Sequence, residues 1–327
     1  MQRVKPQNIK FDTISLFAGI GGLDLGFKYA GFNLIWANDF DKFACLTYKE
    51  NVGKEIICGD IREVQNQIPK HEILLAGFPC QPFSTLGKLE GFEDRERGTL
   101  FFEIQKIIEN YDTKVVVLEN VKNIINHDKG KTFDKILSEL DKLGFYTYYE
   151  VLNSADFGVP QRRNRCFIMA FSKKYFKETK FEFPKKQKLE ITTQDLLDKR
   201  VEAKYFLSKK IINTILGYGT KGYIAKPTID LPISKTLTAT MAKMHRASQD
   251  NYVTDEKNFA LNSDDTRTNV RKLTPNECRK LQGFPDDWKQ VVSDCQAYKQ
   301  FGNAVTVNVS YAIAKEIFKF IELNRLF

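Results

Sequence analysis

The segment Gly77-Phe-Pro-Cys-Gln-Pro-Phe-Ser84 sets a cysteine between two prolines, directly after an apolar run. Proline restricts its own φ and the conformation of the residue before it, so Cys80 sits in a stiff loop rather than a core strand. A lone cysteine is usually a small buried apolar residue. The two prolines argue against that here, and favour a nucleophilic thiolate whose pKa is lowered by a helix N-terminus or a nearby cation. The following stretch, 85–98, is rich in Gly, Glu, Arg and Lys and reads as a loop able to close over a substrate.

Three further groups of residues have chemistry to offer. Phe17-Ala-Gly-Ile-Gly-Gly22 falls between a strand and a helix. Glycines there let a ligand approach the backbone, and the helix N-terminus presents N–H donors. The spacing is not GxGxxG, so a dinucleotide is not the natural guest, whereas the methionine carboxylate of S-adenosylmethionine suits those donors. Asp39 and Asp60 end the next two strands, where acids hold ribose hydroxyls or accept from an amino group. A turn or helix-cap role is the plain alternative for each. Glu119-Asn120-Val121 follows Val115-Val-Val-Leu118, and a partly desolvated carboxyl there is able to keep a proton and donate it. Gln161-Arg-Arg-Asn-Arg165 leads into the apolar run 166–170. If that strand begins at the arginines, Arg163 and Arg165 share a face and could grip a base carbonyl and a phosphate together. A solvated basic edge is the plain alternative.

The elements that must carry these residues follow from apolar periodicity. Short runs at 13–17, 32–37, 56–58, 73–76 and 115–118 each end in polar residues, and helical stretches come between most of them. This is the rhythm of a doubly wound, mostly parallel α/β sheet, and the chemistry-bearing residues cluster at the strands' carboxyl ends, where such sheets bind ligands. Leu23 to Ala30 reads as a helix capped by Gly31. After the basic linker Pro184 to Lys188 the alternation stops. Residues 191–270 read as a smaller, irregular lobe with short β-like runs. Order returns at Thr274-Pro-Asn-Glu277, a helix start, and 305–323 is an apolar helix expected to pack on the first domain.

Composition narrows the class. Lys and Arg number 50 against 41 Asp and Glu, a net charge of +9 that favours a polyanionic partner. The six cysteines (45, 58, 80, 166, 278, 295) form no CxxC pair and the three histidines are scattered, so a metal site is not expected. No signal peptide or membrane-length apolar run is evident, which points to a reducing, cytoplasmic setting with free thiols.

Taken in order, the blocks 17–22, 77–81, 119–121, 161–165, Arg279-Lys-Leu-Gln-Gly-Phe-Pro285 and Gln300-Phe-Gly-Asn-Ala-Val305 resemble those of the DNA cytosine-C5 methyltransferases, in their compact bacterial restriction–modification form. The resemblance covers residues 12 to about 175 and 272–327. Between 186 and 270 it rests mainly on Thr236-Leu-Thr-Ala239. It implies a Rossmann-like class I S-adenosylmethionine-dependent methyltransferase fold, with a catalytic and cofactor-binding domain over 1–185 plus 303–327. A β-containing target-recognition domain would span 186–271, with a return segment at 272–302.

By the same resemblance, Cys80 is similar to the nucleophile that adds to cytosine C6. Glu119 looks like the residue engaging N3 and the amino group, and Arg165 like the O2 contact, with Arg163 supporting the active-site loop. Cofactor-pocket positions correspond to Phe17, Ala18, Gly19, Gly21, Gly22, Leu23, Asp39, Phe40, Asp60, Ile61, Leu100, Asn303, Ala304 and Val305. The family usually has Glu at the position of Asp39. Phe78, Pro79, Gln81, Ser84, Thr236 and Thr238 are the substrate-facing expectations. Gln81, the residues 84–86 and the stretch Lys243 to Arg246 are candidates for filling the space left by a flipped base. Double-stranded DNA is the implied partner, for a monomer accompanied by a cognate restriction endonuclease, and no membrane or metal is implied. Competing readings are a tRNA cytosine-C5 methyltransferase, whose Cys-Phe-Thr signature is absent, an inactive DNA-binding homologue, and a nicotinamide dehydrogenase on the same fold.

Overall fold

Apolar β-branched runs favour strands, and five of them build the core of a sheet in a computed structural model describing residues 11–78, 100–220, 223–243, 246–262 and 265–324. These are β1 (Asp12–Leu16), β2 (Asn33–Asp39), β3 (Ile56–Cys58), β4 (Ile73–Gly77) and β5 (Val115–Val121). β4 and the Val115–Leu118 portion of β5 are almost wholly buried, as strands covered on both faces must be. Crossovers are made by α1 (Gly22–Tyr29), α2 (Lys42–Asn51), α3 (Ile61–Val64) and α4 (Leu100–Asn110). Then come α5 (Lys131–Lys142), β6 (Phe145–Asn153), the two-residue β7 (Gln161–Arg162) and β8 (Asn164–Ser172).

The seven-stranded sheet has the order β3-β2-β1-β4-β5-β8-β6. β1 pairs in parallel with both β2 and β4, β4 in parallel with β5, and β8 runs antiparallel to β5. Strand order reverses between β1 and β4, so their carboxyl ends bound the crevice in which open α/β sheets bind ligands. Gly31 takes φ 101° just beyond α1, as its C-terminal position requires.

Two compact units divide the chain. The first comprises residues 1–152, 164–185 and 309–327, and the second 153–163 and 186–308. In the first, the C-terminal helix α10 (Val307–Asn324) packs as expected: the Ser310 hydroxyl donates to Leu23 O, and the Phe320 ring lies 4.1 Å from that of Phe171. Gly26 allows this approach, since a Cβ there would lie 2.3 Å from Ser310 Oγ.

The second unit has an antiparallel sheet of β9 (Phe206–Ser208), β13 (Tyr252–Thr254) and β14 (Arg267–Lys272), in the order β13-β14-β9. Its shorter ladders join β10 (Gly219–Thr220) to β11 (Tyr223–Ile224), and β12 (Ser234–Lys235) to β7. Short helices α6 (Ile212–Ile215), α7 (Glu256–Asn262), α8 (Pro275–Leu281) and α9 (Asp294–Asn303) complete it. A small core of Leu207, Ile215, Ala247, Tyr252 and Val270 is reinforced by the fully buried Arg271, paired with Asp255 at 2.7 Å and Glu277 at 2.8 Å. Thr274 and Glu277 cap α8 reciprocally, the capping box legible in their spacing.

One local expectation is overturned. Arg163 and Arg165 do not share the face of a single strand, because the backbone breaks at Arg163 between β7 and β8. The Arg163 N–H donates to Gln161 O at 3.0 Å and to Asn153 Oδ1 at 3.1 Å instead of to a ladder partner. These bonds turn the chain, leaving Arg163 in the second unit and Arg165 in the first.

Candidate active site

At the end of β1 the chain makes a left-handed turn. Phe17 has φ 56°, Gly19 φ 57° and Gly21 φ 83°. Gly21 is confined to glycine twice over, since a Cβ would also lie 2.7 Å from Val52 Cγ2 and 3.0 Å from Tyr48 Cε2. Ala18 N donates to Asn38 O (2.9 Å), Gly21 N to Ala18 O (2.8 Å), and Gly19 N to Asp39 Oδ2 (2.8 Å). Asp39 also accepts from Asp41 N at 2.8 Å, so its carboxylate shapes the glycine turn directly. Gly19 faces open space, and Gly21 is the N-cap of α1, which has no side-chain cap and carries Gly22 and Leu23 in its first turn. The beginning of α1 therefore offers backbone donors beside a gap. This matches the donor set that a ligand carboxylate needs.

Beneath this turn lies a residue that sequence reasoning missed. Asp24, in the first turn of α1, is completely buried and accepts from Ser15 Oγ and Tyr48 OH, both at 2.7 Å. Burial, opposed by those two hydrogen bonds, raises its pKa from 3.8 to about 6. The folded protein therefore holds the proton more tightly than the unfolded chain between those values, and stability falls as pH rises through that window. The full penalty, on the order of 3 kcal/mol, applies above about pH 6 and vanishes below about pH 4. Asp24→Asn is expected to gain stability over the wild type as pH rises from 4 to 7, read by thermal unfolding of both proteins. A difference independent of pH would refute this.

Other predicted cofactor positions cluster at neighbouring strand ends. Phe40 follows Asp39 with its ring 76% exposed, an unusual state for phenylalanine that suits stacking against a planar ligand. Asp60 caps α3, accepts from Arg62 N at 3.0 Å and is clamped by the Arg62 guanidinium, which holds its carboxyl below the usual range. The helix-cap alternative thus describes its contacts here. Ile61 is buried beside it, and Leu100 opens α4, partly buried.

Phe78 is the last described residue before the proline–cysteine block. It is buried, packs on Phe101 at 5.9 Å, and its carbonyl accepts from Asn120 Nδ2 at 2.8 Å. Asn120 Oδ1 in turn accepts from Val121 N at 2.9 Å. The end of β4 is thereby tied to β5, an explanation for asparagine at this place. Pro79, Cys80, Gln81, Ser84 and the stretch 85–98 lie outside the described residues.

Glu119 lies within β5 opposite Gly77 of β4, and its Oε1 is 3.1 Å from Arg165 Nε. Both side chains are largely buried, and the cost of burial depresses the Arg165 pKa despite the carboxylate beside it. The sequence suggested a carboxyl able to keep a proton, whereas in the structure Glu119 is paired with the Arg165 guanidinium. Cys166 lies in β8, where burial pushes its thiol up to about 12, which disfavours the reactive thiolate.

In the second unit, Arg163 is 1% exposed and donates to three carbonyls: Nη1 to Leu237 O (3.1 Å), and Nη2 to Gly302 O (3.0 Å) and Ala304 O (2.8 Å). Around it, Gln161 Nε2 donates to Leu281 O (2.8 Å), Leu237 N to Gln161 Oε1 (3.0 Å), and Thr306 Oγ1 to Gln282 Oε1 (2.7 Å). These side chains knit the blocks 161–163, 281–282 and 302–306 into one buried polar network. Gln282 lies in the 279–285 block but, like Thr306, was given no role of its own; they bond each other across 24 residues, and their contacts to Gln161 and Ser154 span 121 and 152. Gly302 must stay small, since a Cβ would lie 2.3 Å from the Thr238 carbonyl carbon. Thr236 Oγ1 donates to Arg162 O at 2.7 Å, and Thr238 Oγ1 reaches Asp250 Oδ1 at 3.4 Å. Asn303 is exposed, while Ala304 and Val305 are buried. Lys243 is exposed and Arg246 partly so, Nη1 of Arg246 donating to Gly217 O at 3.4 Å.

The profile of the C-5 cytosine-specific DNA methylase family matches residues 11–319. Type II methyltransferase M.SsoII of Shigella sonnei is 40% identical over 323 residues, covering 95% of this chain and 81% of that protein. Type II methyltransferase M.HhaI of Haemophilus parahaemolyticus is 37% identical over 322 residues, covering 93% of each. Among solved structures, a DNMT2 mutant from Spodoptera frugiperda superposes with a TM-score of 0.73 at 21% identity over 94% of this chain and 99% of that one, a likeness of fold. With that profile spanning nearly the whole sequence on the matching doubly wound sheet, the chain belongs to the C-5 cytosine-specific DNA methylase family and is a DNA (cytosine-5-)-methyltransferase.

Proposed function

We propose that this enzyme transfers a methyl group from S-adenosylmethionine to C5 of a cytosine extruded from a short, specific duplex DNA sequence, through a transient bond between Cys80 Sγ and C6. The observation that carries the reading is the meeting of four strand ends in the first unit. The glycine turn after β1 and Phe78 after β4 leave adjacent strands at the switch point, and the Glu119–Arg165 pair lies on the next two strands.

In this mechanism the Cys80 thiolate adds to C6 while Glu119 engages N3 and the amino group and Arg165 the O2 edge, together accepting the electron density that addition pushes into the ring. C5, now enamine-like, becomes the nucleophile. The cofactor, when bound, supplies an electrophilic sulfonium methyl group. Loss of the C5 proton and elimination of Cys80 then restore the aromatic ring and the free thiol. The uncapped start of α1, the gap at Gly19, Asp39 and the exposed Phe40 ring fit the cofactor's carboxylate, ribose and adenine in kind. Swinging the base out of the stack costs a few kcal/mol, met by contacts to the duplex.

Target reading is assigned to residues 186–271 of the second unit, with Arg163 as an internal support. A place in a restriction–modification system beside a cognate endonuclease, as a cytoplasmic monomer, belongs to the same reading and is supported by relatives named Type II methyltransferases. Among the described residues no helix is long and apolar enough to cross a membrane.

Duplex carrying 5-fluorocytosine at the target tests the mechanism. Fluorine cannot leave as a proton does, so a protein–DNA adduct that survives denaturation is expected. Noncovalent complexes alone would refute the addition–elimination route. The same assay with tRNA distinguishes the RNA alternative, since methyl transfer confined to tRNA would replace DNA as the substrate. Absence of transfer to any nucleic acid would revive the inactive homologue.

A further inference from the structure

We propose that Asp24 is a positioning residue for the cofactor, acting through Tyr48 to hold the left-handed glycine turn in the form that receives the ligand. Three observations carry this. Asp24 is fully buried, and its two carboxylate oxygens are divided between Ser15 on β1 and Tyr48 on α2, each at 2.7 Å, so one side chain ties together the strand before the turn, the helix after it and the helix behind it. The Tyr48 ring forms the wall against which Gly21 is packed, 3.0 Å from where its Cβ would stand. Gly21 in turn is the N-cap of α1, which has no side-chain cap, and two residues before it Gly19 borders open space.

A residue needed only for folding would not have this composition. A buried carboxylate is costly, and an apolar residue of similar volume would serve packing better. The arrangement is instead rigid in the one direction that matters for a ligand carboxylate: two charge-assisted hydrogen bonds fix the ring that sets the turn. Preorganised donors bind more tightly because their ordering is complete before the ligand arrives.

The inference rests on the cofactor reading above, and the experiment separates the two. S-adenosylhomocysteine is titrated calorimetrically into the full chain, wild type and variants, at pH 7.5, with thermal unfolding of each protein measured without ligand. Tyr48→Phe, which keeps the ring against Gly21 and loses the hydroxyl, is expected to weaken binding about tenfold, the scale of one hydrogen bond to a charged group. Asp24→Asn should weaken it comparably, and the double variant no further than the weaker single one, because both substitutions act on the same contact, one removing its charge and the other its hydroxyl. Asp24→Asn is also expected to melt higher than the wild type at this pH while binding more weakly. Those opposite signs are what a purely structural role would not produce. Should Asp24→Asn fail to fold, Tyr48→Phe decides alone. A wild-type chain that binds no S-adenosylhomocysteine would remove the cofactor reading and this inference with it. Tight wild-type binding, with Tyr48→Phe within about twofold of it, would overturn the positioning role only.

Discussion

Cys80→Ser is expected to reduce methyl transfer below detection while leaving affinity for cognate duplex within about threefold. An ordinary thiol, with a pKa of about 8.5, already yields some thiolate near neutrality, and a nearby cation or helix N-terminus increases that fraction. A serine hydroxyl yields essentially no alkoxide without an adjacent general base. Addition to C6 creates the only carbon nucleophile in the reaction, so losing it cannot be offset by better positioning. Duplex contacts are assigned to other residues and should survive, and the serine variant should form no adduct with 5-fluorocytosine duplex. The preceding backbone is held independently of the sulfur by the Asn120–Phe78 hydrogen bond, so the substitution is not expected to disturb the fold. Normal turnover by the variant would end the nucleophile assignment.

Arg163→Ala is expected to destabilise the protein by about 3–5 kcal/mol, the range for removing a buried, hydrogen-bonded charged side chain. The side chain is 1% exposed, and it donates to the carbonyls of residues 237, 302 and 304, on two separate stretches of the second unit. Truncation removes the guanidinium donor from Leu237 O and Gly302 O inside the protein, while Ala304 O keeps Gln282 Nε2 at 3.1 Å, and a buried acceptor that loses its donor is the expensive kind of lost hydrogen bond. Arg163→Lys should recover only part of the loss, because one ammonium on a flexible stem does not reproduce the planar fork. Thermal unfolding should show a drop of roughly 6 °C or more. A melting point unchanged within about one degree would mean that Arg163 reaches a ligand rather than holding the unit together.

The contrast between the two arginines bears on how much could be read in advance. Arg163 and Arg165 stand two residues apart, and strand periodicity would put them on one face. A turn held by Gln161 O and Asn153 Oδ1 intervenes, so Arg165 pairs with Glu119 while Arg163 turns to the carbonyls of its own unit. The sequence of 161–165 does not reveal this, since apart from Gln161 O the acceptors involved lie 10 to 141 residues away. Asp24 makes the same point. An aspartate in the first turn of a helix normally reads as a surface residue favoured by the helix dipole. Its burial depends on Ser15 and Tyr48, which the fold delivers from another strand and another helix.

By itself, the order of residues determined the strand-ended chemistry of the first unit: the runs that became β1 to β5, the glycine turn, the two aspartates that close β2 and cap α3, and the capping box at Thr274. Each depends on backbone preference or on periodicity within a few positions, forces that act along the chain. Tertiary structure alone decided that Glu119 is paired, that Arg163 belongs to the second unit and that a carboxylate lies buried under the cofactor turn. In each case the energy is settled by what desolvates a charge and which distant donor or acceptor compensates it, and neither quantity exists until the chain has folded.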